Sequence, residues 1–335
     1  MHLRHVDLLV CPGCRRSLGI RVETRTNDGR VETGHLRCDH CSREYPVVGG
    51  VPRFVPMENY ASGFGLEWTR HARTQYDSYS GIDVSESRFF DQTHWPRRMP
   101  GELILEAGSG SGRFTEQAAR TGATVVSFDY SYAVDANYAS NGAKENVLIV
   151  QADVFAMPFR RGSFDRVFCF GMLQHTPDPR RAFLALPPML KPGGEVVADI
   201  YKATFFRALL HTKYYVRPLT RRLPPERLYA WVRRYVDLMW PVCAVVRKVP
   251  RIGYAINWRL LVADYSFLGL EGQMLKEWAY LDTFDMLAPR YDRPATIAQF
   301  RGWFAEAGLD PIDAEYTPHG ITGRGRRSAT AGRAA

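Results

Sequence analysis

No run of apolar residues in this chain is long enough to cross a bilayer. The most apolar late stretch, Leu238 to Val246, is about half the length of a spanning helix and contains Pro241, so no transmembrane helix is expected. The segment Met1 to Val10 lacks the unbroken apolar core of a secretion signal, because His2, Arg4, His5 and Asp7 interrupt it. The expectation is an intracellular, cytoplasmic protein. Cysteine is scarce and unevenly placed: six residues form two close pairs, Cys11/Cys14 and Cys38/Cys41, with Cys169 and Cys243 isolated. That argues against a disulfide framework and for metal binding in a reducing compartment. Acids are scarce in one region. Tyr201 to Val262 holds thirteen Lys/Arg, Arg207 among them, against only Glu226 and Asp237, an excess of eleven where the whole chain carries +9. The rest is close to neutral, so the basic character belongs to one segment and is no general sign of nucleic-acid binding. A smaller basic run comprises Arg324, Arg326, Arg327 and Arg333. No internal repeat is present.

What is present is enough for a full core and a smaller module: 335 residues, 45% hydrophobic and 24% charged. Three parts follow one another. Residues 1–56 hold the cysteine pairs and short β-like runs, His35 to Arg37 and Glu44 to Val48, and end in the turn-rich Gly49-Gly50-Val51-Pro52. Residues 57–98 form a polar, aromatic connection with Phe64, Trp68, Ala72 and Tyr76 at helical spacing. Residues 99–335 alternate strand and helix patterns, with a basic helical insertion over about 202–280. Apolar runs at Leu103 to Glu106, Thr124 to Phe128, Val147 to Gln151, Arg166 to Phe170 and Glu195 to Ile200 read as buried parallel strands. Two more, Leu309 to Thr317 and Ile321 to Arg326, read as a final antiparallel pair. The rhythm predicts an α/β fold, a doubly wound, Rossmann-like sheet of seven strands beside a small N-terminal β module.

The turn after the first of these strands reads Glu106-Ala107-Gly108-Ser109-Gly110-Ser111-Gly112 and enters a helix at Arg113. Glycines at every second position let the backbone approach a ligand at the carboxyl edge of a sheet. A dinucleotide fingerprint requires glycine where Arg113 stands. Asp129 ends the second strand, where an acid can accept two ribose hydroxyl protons, and Asp153 follows the third. One strand-end acid alone is more often a cap; three on successive strands form a pattern. With Ser163-Phe164-Asp165 before strand four and Lys191-Pro192-Gly193-Gly194 before strand five, residues 99–201 resemble class I S-adenosylmethionine-dependent methyltransferases of the type 11 kind. The resemblance implies that Glu106, Gly108, Ser109, Gly110 and Gly112 surround the methionine portion of S-adenosyl-L-methionine. It further implies that Asp129 and Tyr130 hold the ribose side, Asp153 and Val154 the adenine, and Phe170 and Gly171 the methionine wall.

After strand four, Met172-Leu173-Gln174-His175-Thr176-Pro177 is similar to small-molecule methyltransferases. His175 is either a base for an acceptor hydroxyl or amine or a residue that only shapes the pocket. Gln75, Asp282, Asp285 and Tyr291 are candidate acceptor contacts. Gln75 belongs to a connection that is either a lid or a helix packed on the sheet. The others sit in a stretch, Asp282 to Tyr291, read as a loop, where turn capping is the plainer role for the acids.

The knuckles Cys11-Pro12-Gly13-Cys14 and Cys38-Asp39-His40-Cys41 supply four thiolates, the donor set of a structural Zn²⁺. Residues 8–52 resemble the small zinc-ribbon proteins that activate tRNA methyltransferases, which implies either support of the chain's own catalytic domain or docking of a partner. The basic insertion interleaves its cations with Tyr214, Tyr215, Tyr229, Trp231, Tyr235, Trp240, Tyr254 and Trp258. It is an amphipathic lid, a membrane-surface element at the inner face of the membrane, or an RNA groove. The leading expectation is methyl transfer to a small-molecule or lipid-linked acceptor at O, N or C. The alternative is an RNA methyltransferase, weakened by the lack of Asn-Pro-Pro-Tyr or Asp-Pro-Pro-Tyr after strand four. A silent scaffold requires a damaged cofactor site, and the motifs are whole.

Overall fold

The computed structural model describes residues 1–57, 59–203 and 211–329, and Arg207 and Arg333 lie outside them. Near the N-terminus four strands form an antiparallel meander: β1 (Gly19–Arg25), β2 (Val31–Arg37), β3 (Glu44–Val48) and β4 (Val51–Pro52). Three helices follow, α1 (Ser62–Arg70), α2 (Asp77–Ser80) and α3 (Ser85–Thr93). The sheet then builds through β5 (Leu103–Ala107), α4 (Arg113–Arg120), β6 (Thr124–Asp129), α5 (Val134–Asn141), β7 (Val147–Gln151), β8 (Phe164–Cys169), α6 (Pro179–Leu184) and β9 (Leu190–Ile200). The insertion supplies α7 (Lys213–Thr220), α8 (Pro225–Val246), α9 (Gly253–Arg259) and α10 (Gly272–Leu287), and α11 (Ile297–Glu306), β10 (Leu309–Thr317) and β11 (Gly320–Arg327) complete the described chain.

The seven strands are ordered β10-β11-β9-β8-β5-β6-β7. All pairs are parallel except those of β11, which runs antiparallel to β9 and β10. The order reverses between β5 and β8, and at such a switch point loops diverge and leave a crevice at the carboxyl ends. The middles of the parallel strands are mostly apolar because helices cover both faces; in β7 all five residues are buried.

The four-stranded module is welded to this sheet. Beyond β4, Phe54 N–H donates to the Gln151 carbonyl at 2.9 Å, so the chain adds a short parallel rung outside β7. Val10 N–H reaches the Pro158 carbonyl at 2.8 Å, and the Arg15 guanidinium donates to the Met157 carbonyl at 2.7 Å. Leu9, Leu36 and Val47 share one core with Leu148, Phe159 and Phe183.

The insertion has a core of its own. Leu228, Val232, Val236 and Cys243 form the inward stripe of α8 at helical spacing and pack with Val262, Phe284 and Leu66 of α1.

Some boundaries differ from the sequence reading. β8 starts at Phe164 and stops at Cys169, leaving Phe170 and Gly171 in the bend above it; β9 starts at Leu190 and takes in Lys191 to Gly194. Asp282 to Tyr291 was expected as a loop, but α10 continues through Leu287. Leu275, Trp278, Leu281, Phe284 and Leu287 are buried around much of its circumference, because α10 packs against α7 and α8 of the insertion and against α1. That burial erases the one-sided pattern by which a surface helix is read. The basic run of β11 is neutralised locally: Arg324 pairs with Asp313 and Glu315, and Arg326 with Glu195.

Candidate functional site

The crevice at the switch point opens into a cleft of about 1210 Å³. Small-molecule sites usually span roughly 300–1,000 Å³, so it has room for two ligands end to end. Its floor is the turn between β5 and α4. Gly108 and Gly112 have φ of 81° and 93°, in the left-handed region. A side chain at Gly108 meets Met172 at 2.5 Å, and one at Gly112 meets Asn137 at 2.1 Å. Trp68 of α1 lies over Gly110, so α1 roofs the turn.

A buried polar network fixes the turn from below. Thr115 Oγ1 donates to Glu106, and Asn137 Nδ2 donates to Thr115 and Ser127, both at 3.0 Å. Asn141 donates to the Gly112 carbonyl at 3.1 Å, and Tyr76 O–H to that of Ser111 at 2.6 Å. Glu106 therefore stands beneath the turn, outside the cleft wall, where burial pushes its carboxyl up to about 7. Gly112 is also outside the wall, as the residue from which α4 starts.

Gly108, Ser109, Gly110, Asp129, Tyr130, Asp153, Val154, Phe170 and Gly171 all line the cleft. Asp129 accepts from Gly110 N–H at 2.9 Å and from Ser131 N–H and Oγ at 2.8 and 2.7 Å, so it ties the glycine turn to the end of β6. Loss of water raises its carboxyl, and those donors partly offset the rise. Asp153 caps the turn that follows β7, accepting from Phe155 N–H at 2.9 Å, and faces the cleft from there.

His175 is 8% exposed, between the rings of Phe64 and Tyr201 at 5.1 and 5.5 Å. Its Nδ1 lies 3.0 Å from the Tyr291 carbonyl, which assigns the proton to Nδ1 and leaves Nε2 with a lone pair. Burial lowers its pKa, keeping the ring neutral. Gln75, Asp282 and Asp285 line the same cleft, with Gln75 Nε2 3.5 Å from Asp282 Oδ2. Tyr291 does not; its carbonyl orients His175 while its ring packs on Tyr60.

Two residues absent from the sequence reading brace the wall, Arg88 within it and Asp199 behind it. Asp199, at the end of β9, accepts from Gly171 N–H at 2.6 Å and pairs with Arg88 of α3 at 2.6 Å, both side chains nearly buried. Arg88 also lies over the Phe170 ring, 5.8 Å from its centre. The acid after Val196-Val197-Ala198 repeats the strand-end pattern of Asp129 and was the available clue.

The second cluster lies in the N-terminal module. The Sγ atoms of Cys11, Cys14, Cys38 and Cys41 all fall within 4.8 Å of one another, with separations of 3.4 Å (Cys14 to Cys38), 3.5 Å (Cys11 to Cys41) and 3.6 Å (Cys14 to Cys41). A tetrahedral ion with bonds of about 2.3 Å requires sulfurs roughly 3.8 Å apart, so the donor set fits. N–H groups of Gly13 and Cys14 face Cys11 Sγ, and those of His40 and Cys41 face Cys38 Sγ, as two metal knuckles require.

The insertion exposes an apolar strip. Leu238 and Val245 of α8 are 74% and 65% exposed, Ile252 is 56% exposed and Phe267 57%; Arg234, Lys248 and Arg251 stand beside them, and no acid occurs from Leu238 to Ala263. Tyr254, Trp258, Arg259 and Phe267 belong also to the cleft, so strip and cleft mouth are continuous. Among the described residues no helix is long and apolar enough to cross a membrane.

Compared with known proteins, residues 105–198 match the family described as methyltransferase domain. The ubiquinone biosynthesis O-methyltransferase of Xanthomonas oryzae pv. oryzae (strain PXO99A) is 31% identical over 148 residues, 40% of this chain and 62% of that protein. The chain thus spans less than two thirds of the curated relatives it matches. Among solved structures, human N-acetylserotonin methyltransferase in complex with SAM aligns over 82% of this chain and 60% of that one, at 13% identity and a TM-score of 0.42. A chain of the complex between the Haloferax volcanii Trm112 methyltransferase activator and a methyltransferase aligns over 80% and 96%, at 12% identity and a TM-score of 0.44.

Proposed function

Since the chain carries a methyltransferase domain, we propose that it transfers a methyl group from S-adenosyl-L-methionine to a small-molecule or lipid-linked acceptor. The observation that carries this is the convergence of the glycine turn, Asp129 and Asp153 on one wall of a cleft that continues past His175 into the insertion. When bound, the cofactor supplies a methyl group on a positively charged sulfur, open to in-line attack. The glycine turn gives its methionine portion close backbone approach, Asp129 accepts from the ribose hydroxyls, and Asp153 and Val154 border the adenine. Trp68 and Phe64 of α1 close the top and exclude water. His175 Nε2 takes the proton that the acceptor must shed. Replacing His175 by Ala lowers kcat by about 100-fold while cofactor affinity stays within twofold; unchanged turnover removes the base from the scheme.

The four cysteines hold a structural Zn²⁺ that supports the catalytic domain. The exposed strip is a peripheral membrane contact at the cytoplasmic side, where apolar side chains enter the headgroup boundary and the cations meet anionic lipid. The exposed aliphatic residues Leu238, Val245 and Ile252 support this surface, whereas an RNA groove uses the exposed aromatics between cations, Tyr215, Trp231 and Tyr254. In a flotation assay, vesicles containing phosphatidylglycerol carry the protein at low salt, and Leu238→Glu with Val245→Glu releases it; flotation of neither protein ends the membrane reading. With labelled S-adenosylmethionine and a cell extract, label enters the lipid or small-molecule phase. Label confined to acid-precipitable RNA establishes the alternative.

A further inference from the structure

Three carboxylates look into one part of the cleft from two helices: Glu67 from α1, and Asp282 and Asp285 from α10. On α10 the two aspartates continue a stripe that begins at Trp278, spaced by four and three residues, so all three share one helical face. Glu67 is 1% exposed, and its Oε2 has no hydrogen-bond partner among the described residues. Its carboxyl is pushed well above the usual range, by burial first and then by Asp285 and Asp282, and no cation acts against that rise. Asp282 is pushed up to about 7, again by burial and Asp285, although Gln75, Tyr265 and Arg113 attend it. Trp278 is 2% exposed, and its indole N–H also has no partner among the described residues.

A buried carboxyl oxygen with no partner is destabilising, and burial keeps the group neutral until a donor or a cation reaches it. An orphaned acceptor beside two further acids, in a cleft that must take a second ligand, calls for a ligand that brings donors and positive charge. The surrounding surface suits the same guest. Tyr265 packs against Trp278 at 4.9 Å and both line the cleft beside Asp282, so aromatic surface borders the three acids.

We infer that the acceptor is an amine, admitted in its ammonium form and seated among Glu67, Asp282 and Asp285 against the rings of Tyr265 and Trp278. This rests on the methyl-transfer reading and narrows its acceptor class. An ammonium has no lone pair for attack, so one N–H bond breaks; the proton passes to His175 Nε2 and the electron pair stays on nitrogen. Asp285 and Asp292 act on His175 in the sense that favours its charged form, so the imidazolium forms beside negative charge. The proton then leaves to water and the neutral ring is restored.

The test needs no turnover. The full chain is loaded with S-adenosylhomocysteine and titrated calorimetrically with phenethylammonium chloride and, separately, with 2-phenylethanol, its uncharged counterpart of similar shape. The ammonium binds at least about tenfold more tightly, as one charge-assisted hydrogen bond with a ring contact supplies. Glu67→Gln and Asp282→Asn, two independent isosteric changes, each remove most of that preference. Equal affinity for both probes, binding of neither, or a preference that survives both substitutions overturns the inference. Failure of S-adenosylhomocysteine itself to bind strikes the methyl-transfer reading instead.

Discussion

Asp129→Ala weakens S-adenosylhomocysteine binding by about 100-fold or more, measured by calorimetry on the full chain. The size follows from the hydrogen bonds lost. A carboxylate accepting from two hydroxyls contributes roughly 1.5–3 kcal/mol per bond, and each 1.4 kcal/mol is tenfold in affinity. There is a second contribution, because Asp129 also accepts from Gly110 N–H and from Ser131, so its removal frees the glycine turn it anchors. Asp129→Asn is the milder change. The amide keeps one oxygen for Ser131 and the native volume, but its NH2 replaces the oxygen that accepts from Gly110 N–H and the charge is gone, so affinity falls by about tenfold while the fold is retained. Affinity within threefold of the parent in both variants means that the ligand lies elsewhere in the cleft.

The second large effect concerns the cysteine cluster. Purified protein contains about one zinc per chain, and Cys11→Ser or Cys38→Ser abolishes it. Structural zinc is worth on the order of 10 kcal/mol to small modules, so its loss unfolds the meander of β1 to β4 outright. The damage spreads, because Leu9, Leu36 and Val47 share a core with Leu148 of β7 and with Phe159, which follows it in the chain. Hydrogen exchange therefore rises in residues 1–56 and also in β7, whereas β5 and β8, at the centre of the sheet, retain their protection. A folded, metal-free module with unchanged exchange refutes the zinc assignment.

The sequence was most informative where one local rule decides the structure. Alternating glycines admit few readings, and the apolar runs of β6 and β7 have no polar face to misplace. The cysteine pairs bring their own spacing. It was least informative where tertiary placement reverses a local expectation. Glu106 looked like a ligand-facing strand-end acid, yet the strand turns it under the loop to accept from Thr115. Asp282 and Asp285 were candidate acceptor contacts placed in a loop, with capping the plainer role, because α10, packed against α1, α7 and α8, is apolar around most of its circumference. The ion pair of Arg88 with Asp199 joins residues 111 positions apart, and no local pattern announces it. The cation count of the insertion was plain from composition. Which of its apolar residues remain outside, Leu238 and Val245 rather than Val232 and Val236, depended on which face of α8 the core occupies.

The rung that Phe54 adds beyond β7 has a consequence for how this molecule behaves in company. A sheet's last strand offers bare N–H and C=O groups to any extended chain that drifts past, and crowded proteins that leave such a strip open tend to stick to one another. Here the two margins are guarded differently. On one side the segment leaving the cysteine module is itself the sacrificial neighbour, engaging Gln151 before a stranger does. On the other, β10 carries Pro311 and an irregular pairing around it, which make poor company for a second strand. Only the first guard is tied to a module that a chelator can undo, so metal-depleted preparations clump through the β7 side while the β10 side stays inert.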